Sequence, residues 1–193
     1  MKSFKISDEI ELRPFVEADA EEIFATVKAN YEHLRPFLHW VVPEYSLEGV
    51  KEFIQQSKKA AEEKLRQGFG IFYNEKLVGS IGFNRFDSDA KVTEIGYWLA
   101  KDLSGKGIII RSCQVLINYA FDELQMNRIE IRCATENVRS RAIPEKLGFQ
   151  LEGVLRQALL RHTRLYDDAI YGLLKDDWRN TLTSHKINAE FKG

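Results

Sequence analysis

Six residues, Leu103-Ser104-Gly105-Lys106-Gly107-Ile108, carry the first chemistry legible in the chain. They stand just ahead of an apolar repeat at helical spacing, so the loop leaves backbone N–H groups free at the positive end of a helix dipole. That arrangement suits a phosphate or pyrophosphate. A Walker loop would need Gly at Ala100 and Ser or Thr at Gly107, and a dinucleotide fingerprint would need three spaced glycines, so both nucleotide readings fail. A plain helix-entry turn uses the same Gly-Lys-Gly, and what surrounds the loop must decide.

Other groups capable of chemistry are scattered. Asn137-Val138-Arg139-Ser140 opens a short helical stretch in which Asn137 and Ser140 are the capping types. His33, Phe37, His39 and Trp40 form an aromatic and imidazole cluster, with His162 far downstream. A lone histidine is more often a packing or surface residue than a proton acceptor. Cys113 and Cys133 have no cysteine or histidine partners at zinc-binding spacing and read as buried thiols, so no metal is expected.

The elements that must position these groups alternate in type. Glu9 to Arg13 reads as a strand stopped by Pro14. A helix follows through Ala20, Ile23, Phe24 and Val27, with Asp19 as its expected cap, and a second runs over about Leu47 to Arg66. Phe69 to Tyr73 and Leu77 to Phe83 form a hairpin around Asn74-Glu75-Lys76, and Val92 to Leu99 is a third strand. Ile109, Cys113, Leu116, Ile117, Ala120, Phe121 and Leu124 recur at steps of three and four, a strongly amphipathic helix. It feeds an alternating strand, Arg128 to Ala134. Asn137 to Lys146 is a short helix closed by Gly148 in a left-handed cap, and strands follow near Gln150 to Leu155 and Ala169 to Leu174.

Glu94-Ile95-Gly96-Tyr97-Trp98-Leu99, the glycine loop, Asn137 to Ser140, Glu145-Lys146-Leu147-Gly148-Phe149 and Glu152-Gly153 occur in that order. The ordered set resembles the Gcn5-related N-acetyltransferase (GNAT) superfamily, and within it the RimJ/RimL-type ribosomal-protein N-terminal acetyltransferases. The resemblance runs from Leu12-Arg13-Pro14 to Asp177-Trp178. It implies an α/β (α+β) fold whose mixed central sheet, flanked by helices, splays into a V-shaped slot for acetyl-CoA. One N-acetyltransferase domain would span 1–193, with a core over about 9–180 and a C-terminal tail.

By that resemblance, strand-edge amides near Tyr97, Trp98 and Leu99 pair with the pantetheine arm, and Ser104, Gly105, Lys106, Gly107 and Ile108 hold the pyrophosphate. Asn137 and Ser140 face the arm near the sulfur. The reaction is attack of a neutral amine on the thioester, so an N–H must stabilise the oxyanion, an acid must protonate the thiolate and a base must take the amine proton. The backbone near Tyr97 or Trp98 is the oxyanion candidate, Ser140 the acid and Glu94 the best-placed base. Many members use a tyrosine as acid where this chain has Pro144, which has no proton to give. Asp102 stands where Gln or Arg is usual, and Leu159 where RimL-type enzymes carry a Glu that helps position a catalytic water. His33, Phe37 and Trp40 are the expected acceptor-binding residues.

The composition fits such a reading. The chain's 193 residues, 44% hydrophobic, can bury a sizeable core, and 28 basic against 29 acidic side chains leave no nucleic-acid footprint. No signal-peptide run or membrane-length apolar stretch occurs, and two cysteines are too few for a secreted scaffold. A cytoplasmic enzyme is expected, a homodimer as relatives often are, acting on a protein or peptide α-amine. The alternatives are a small-molecule acetyltransferase for a polyamine, amino sugar or antibiotic, and a non-catalytic acetyl-CoA sensor.

Overall fold

Alternating apolar residues build a sheet whose order is set by which faces must be covered. The computed structural model describes residues 2–180. Strand β1 (Phe4–Lys5) pairs with β2 (Ile10–Arg13), and β2, β3 (Gln67–Tyr73), β4 (Lys76–Asp87) and β5 (Val92–Leu99) are successively antiparallel. β6 (Arg128–Ala134) runs parallel to β5, followed by β8 (Arg164–Leu174) and then β7 (Gln150–Arg161) at the edge. A parallel neighbour requires a crossover, and helix α4 (Ile108–Asn118) lies in that crossover. The eight strands thus form one mixed sheet.

Each face receives its own core. On one side α4 buries Ile109, Cys113, Leu116 and Ile117 against Phe69, Ile81, Ile95, Ile129 and Ile131. Deleting a fully buried side chain such as Leu116 would cost about 2–5 kcal/mol. On the other side α1 (Ala20–Ala29), α2 (Tyr31–Leu34) and α3 (Leu47–Glu62) pack Ile23, Val27, Leu34, Val50 and Ile54 on Phe72 and Leu77. The second core leaves the opposite half of that face, from β5 to β7, without a helix. The half-covered face is where an acceptor can approach.

Several expectations change in detail. Asp19 does not cap α1: its carboxylate takes both Arg13 guanidinium nitrogens at 2.8 and 2.7 Å and the Val16 N–H at 2.8 Å. The β3–β4 turn has two residues rather than three, with Asn74 and Glu75 both at positive φ. α3 stops at Glu62, short of Arg66, and the helix expected through Leu124 is α-helical to Asn118 and π-helical over Tyr119–Glu123. β7 and β8 are about twice as long as their apolar runs suggest. The C-terminal tail lies outside the described residues.

Candidate active site

β5 and β6 are paired only at Val92–Glu94 with Arg128–Glu130, and beyond that point they separate. The expected V-shaped opening is therefore present between Ile95–Leu99 and Ile131–Ala134. Which backbone groups face it follows from the two-residue period of a strand. Ala100 N–H donates to the Val78 carbonyl on the β4 side at 2.8 Å, so Trp98 also points its backbone toward β4. Tyr97 and Leu99 present theirs to the opening. Of the three strand residues expected to line the slot, Trp98 contributes an indole on the helix-covered face instead.

The glycine loop sits at the wide end of this opening. Gly107 is the residue before α4 and adopts φ 72°, and Gly105 φ 85°, a left-handed backbone that disfavours other residues. Nothing lies within 4 Å of where a Cβ would project at either glycine, so the ground in front of the loop is open. The N–H groups of Gly105 to Ile108 donate to no group among the described residues. Four free amides and a helix N-terminus fit the pyrophosphate of acetyl-CoA. The Lys106 ammonium turns away, 5.3 Å from the Tyr73 ring centroid, leaving the loop's contribution to its backbone.

Across the opening, Asn137 is the cap of α5 (Val138–Lys146), its Oδ1 accepting the Ser140 N–H at 3.2 Å. Ser140 is thereby relieved of capping and its hydroxyl faces Tyr97, Oγ to phenol oxygen 3.5 Å. Pro144 explains a further contact. A proline inside a helix has no N–H for the carbonyl four residues back, which here is Ser140. The Tyr97 hydroxyl donates to that stranded carbonyl at 2.9 Å, tying β5 to α5 across the slot. Burial, with the Cys113 thiol beside it, pushes the Tyr97 phenol well above its ordinary value, so it remains a donor. Burial also lifts the neighbouring Cys133 thiol to about 11. Sequence reasoning took only the backbone of Tyr97 into account, although Pro144 within a helix was the signal that a carbonyl needed a partner.

A cavity of about 920 Å³ leads from Asn137 and Ser140 beneath α1 and α3. Its walls include Phe37, Trp40, Tyr45, Phe53 and Trp98, with Trp40 and Trp98 edge to face at 6.1 Å between centroids. Glu94 lies on the floor, accepting from Asn84 Nδ2 at 2.8 Å with Arg85 Nε 3.7 Å away. Gly96 makes that contact possible, since a Cβ there would come within 2.5 Å of the Asn84 amide. Arg132, also in the lining, is held by the fully buried Asp168, Nε to Oδ2 2.8 Å.

The β7–β8 hairpin closes the cavity's far side. Arg161 donates from Nε to the Phe37 carbonyl at 2.8 Å and from Nη1 to the Leu160 carbonyl at 2.9 Å, and His162 Nε2 meets the Arg35 carbonyl at 3.0 Å. His162 is thus spoken for, whereas His39 lines the cavity with its imidazole held below the usual range by burial and by Arg161 and His162. Leu159 lines it too. His33 does not: it borders a separate cavity. Burial, then Arg139 and Lys101, holds His33 below its ordinary value. The structure therefore brings Ser140, Glu94, Tyr97, Asn137, Phe37 and Trp40 to one cavity and removes His33 from it.

Known proteins are similar to this chain in sequence and fold. The model of the acetyltransferase (GNAT) domain matches residues 9–150. The YdaF protein of Bacillus subtilis (strain 168) is 35% identical over 179 residues, 92% of this chain and 98% of its own. RimL, the ribosomal L7/L12 alpha-N-protein acetyltransferase, solved in complex with coenzyme A, superposes with a TM-score of 0.86 at 26% identity, covering 91% of this chain and 99% of that one. The microcin C7 self-immunity acetyltransferase MccE, in complex with acetyl-CoA and AMP, gives 0.85 at 30% identity over 89% and 95%.

Proposed function

Since the chain belongs to the GNAT acetyltransferase family and is an acyltransferase that uses acetyl-CoA, we propose that its acceptor is the α-amine of a protein or peptide N-terminus, of the ribosomal-protein type. One observation carries the reading: the 920 Å³ acceptor cavity is walled by aromatic rings, and its charged lining is weighted to Arg66, Arg132 and Arg161 over Glu44 and Glu94. A polyamine would meet cations there. An extended, uncharged first few residues would meet rings. The name of the RimL neighbour supports the same class. A small-molecule acceptor is the second reading, favoured by the AMP in the MccE complex.

In the proposed mechanism acetyl-CoA supplies the activated thioester. The Tyr97 N–H, turned into the slot, donates to the acetyl oxygen as negative charge grows there. The Ser140 hydroxyl holds the proton for the departing sulfur. Glu94, ordered by Asn84, takes the amine proton. An α-amine has a pKa of roughly 7.7–8.0 against about 10.4 for lysine, so it needs less help from a base already engaged with Arg85. The decisive experiment offers one peptide with either its N-terminus or its lysine blocked. Mass spectrometry should find acetyl only on the lysine-blocked form, and the converse would sink the α-amine reading.

The proposal includes a single domain over 1–193 and a cytoplasmic setting, which two buried, unpaired thiols suit. It also includes a homodimer. Leu151, Val154, Leu155, Leu160 and Leu165 are all exposed on β7 and β8, an apolar edge a second copy could cover. Sedimentation of Leu155→Glu beside the parent chain tests that contact.

A further inference from the structure

The cavity that claims His33, about 550 Å³, is lined by cationic or protonatable groups from four elements: Lys28 near the end of α1, His33 in α2, Lys101 in the turn after β5 and Arg139 at the start of α5. Glu32 is its one carboxylate. The side chains of Lys28, Lys101 and Arg139 form no ion pair among the described residues, unlike Arg13, Arg85, Arg128, Arg132 and Arg164, each of which does. Stability does not explain the gathering. Arg139 sits at the positive end of the α5 dipole, where a cation is unfavourable, and its field and that of Lys101 depress His33.

The ground beneath these cations is fixed. Asn30 Oδ1 accepts the Lys101 N–H at 2.8 Å, so the turn leading into the glycine loop is fastened to the junction of α1 and α2. Lys101 precedes the loop by only two residues, and Arg139 follows the α5 cap by two. A ligand with its pyrophosphate on Gly105–Ile108 and its arm beside Asn137 therefore has this basin alongside it. Coenzyme A carries one more anionic group close to its pyrophosphate, the phosphate monoester on the ribose 3′ oxygen. We propose that Lys101 and Arg139, with Lys28 behind them, form the subsite for that 3′-phosphate. A phosphate dianion would relieve the repulsion among the three cations and accept charge-assisted hydrogen bonds from Arg139.

The test compares coenzyme A with 3′-dephospho-coenzyme A by calorimetric titration of the full chain, in the parent and in Lys101→Ala, Arg139→Ala and the double variant. The parent should bind coenzyme A about tenfold or more tightly than the dephospho form. In the double variant that preference should fall to near unity, mainly by loss of affinity for coenzyme A. Melting temperatures without ligand should not fall, because the side chains are exposed and their cluster is repulsive. Equal affinities in the parent would overturn the assignment. So would an equal loss for both cofactors, which would make the cations a general attractant. If both affinities stay as they were and only the acceptor's KM rises, the basin reads an anion on the acceptor and the assignment is wrong. The titration involves no acceptor, so it stands apart from the α-amine reading.

Discussion

The two ends of the catalytic cavity are built from different material. The proposed cofactor end is, along the slot and the loop, backbone: the free amides of Gly105 to Ile108 and the strand edge at Tyr97 and Leu99. The proposed acceptor end is side chains, contributed by α1, the segment after α2, α3, β3, β4, β5, β6 and the β7–β8 hairpin and held by contacts such as Arg161 to Phe37 across 124 positions. A backbone cradle tolerates any side chain its dihedral angles permit, which is why Asp102 can depart from the family pattern without altering it. A side-chain wall changes shape with single substitutions. The cofactor end should thus respond to few mutations but severely, and the acceptor end to many but gradually.

Gly107→Glu should have the largest effect. It forces a side chain and a negative charge onto a left-handed position in the pyrophosphate's path. A ligand at about 100 times its Kd contributes about 2.7 kcal/mol, raising the melting temperature by several degrees. That shift should appear with the parent chain and vanish in the variant. Identical shifts in both would remove the loop from the cofactor site.

Ser140→Ala comes next. General-acid help is worth about 100-fold to 10,000-fold, and a thiolate leaves readily, so a fall in kcat of about 100-fold is expected. Cofactor affinity should hold, because Asn137 already caps α5 through the Ser140 N–H. An unchanged kcat would mean the hydroxyl plays no part.

The contrast also explains what the sequence disclosed. Backbone features follow local rules, so the glycine loop and the left-handed Gly148 could be read directly from residue types, and the Asn137–Ser140 pair as a capping pair, with the cap itself falling on Asn137 rather than Ser140. The strand order beyond β5 and the slot were legible only through resemblance, since no local rule says that two parallel strands part after three residues. His33 was misplaced because an imidazole next to aromatic residues in the chain says nothing about which cavity it borders. The full length of β7 was hidden by its exposure. With Arg156 to Ala158 all in solvent and Gln157 at φ 51°, no alternation marks the strand between its bulge and its tip. The Tyr97 hydroxyl bridges both kinds of feature: a local rule strands the Ser140 carbonyl, and a long-range contact satisfies it.

That bridge predicts a rescue. Tyr97→Phe leaves the Ser140 carbonyl without its donor, at a cost of about 1–3 kcal/mol if it stays buried. With Ser140 less firmly placed, kcat should fall about tenfold while cofactor affinity changes little. Adding Pro144→Ala restores an N–H four residues on, so the double variant should regain melting temperature and most of the rate. A double variant no better than Tyr97→Phe would break the link between Pro144 and Tyr97.

Arg161→Ala should give the smallest change and sharpen the comparison most. Arg161 fastens the hairpin to the segment after α2 by one bond, Nε to the Phe37 carbonyl, while its Nη1 bonds the Leu160 carbonyl within the hairpin, and it has no carboxylate partner among the described residues. Burial lowers its pKa, yet a guanidinium stays charged at neutral pH, so the bonds are charge-assisted. Such a bond is worth about 1.5–3 kcal/mol, but the hairpin's ladder with β8 remains, and His162 still holds the Arg35 carbonyl. Only part of that energy should reach the acceptor. Since about 1.4 kcal/mol is tenfold, a rise in acceptor KM of about threefold to tenfold is expected, with kcat and cofactor affinity unaltered. Loss of kcat at constant KM would place Arg161 with the reacting groups rather than the wall, and the division between a backbone end and a side-chain end would have to be redrawn.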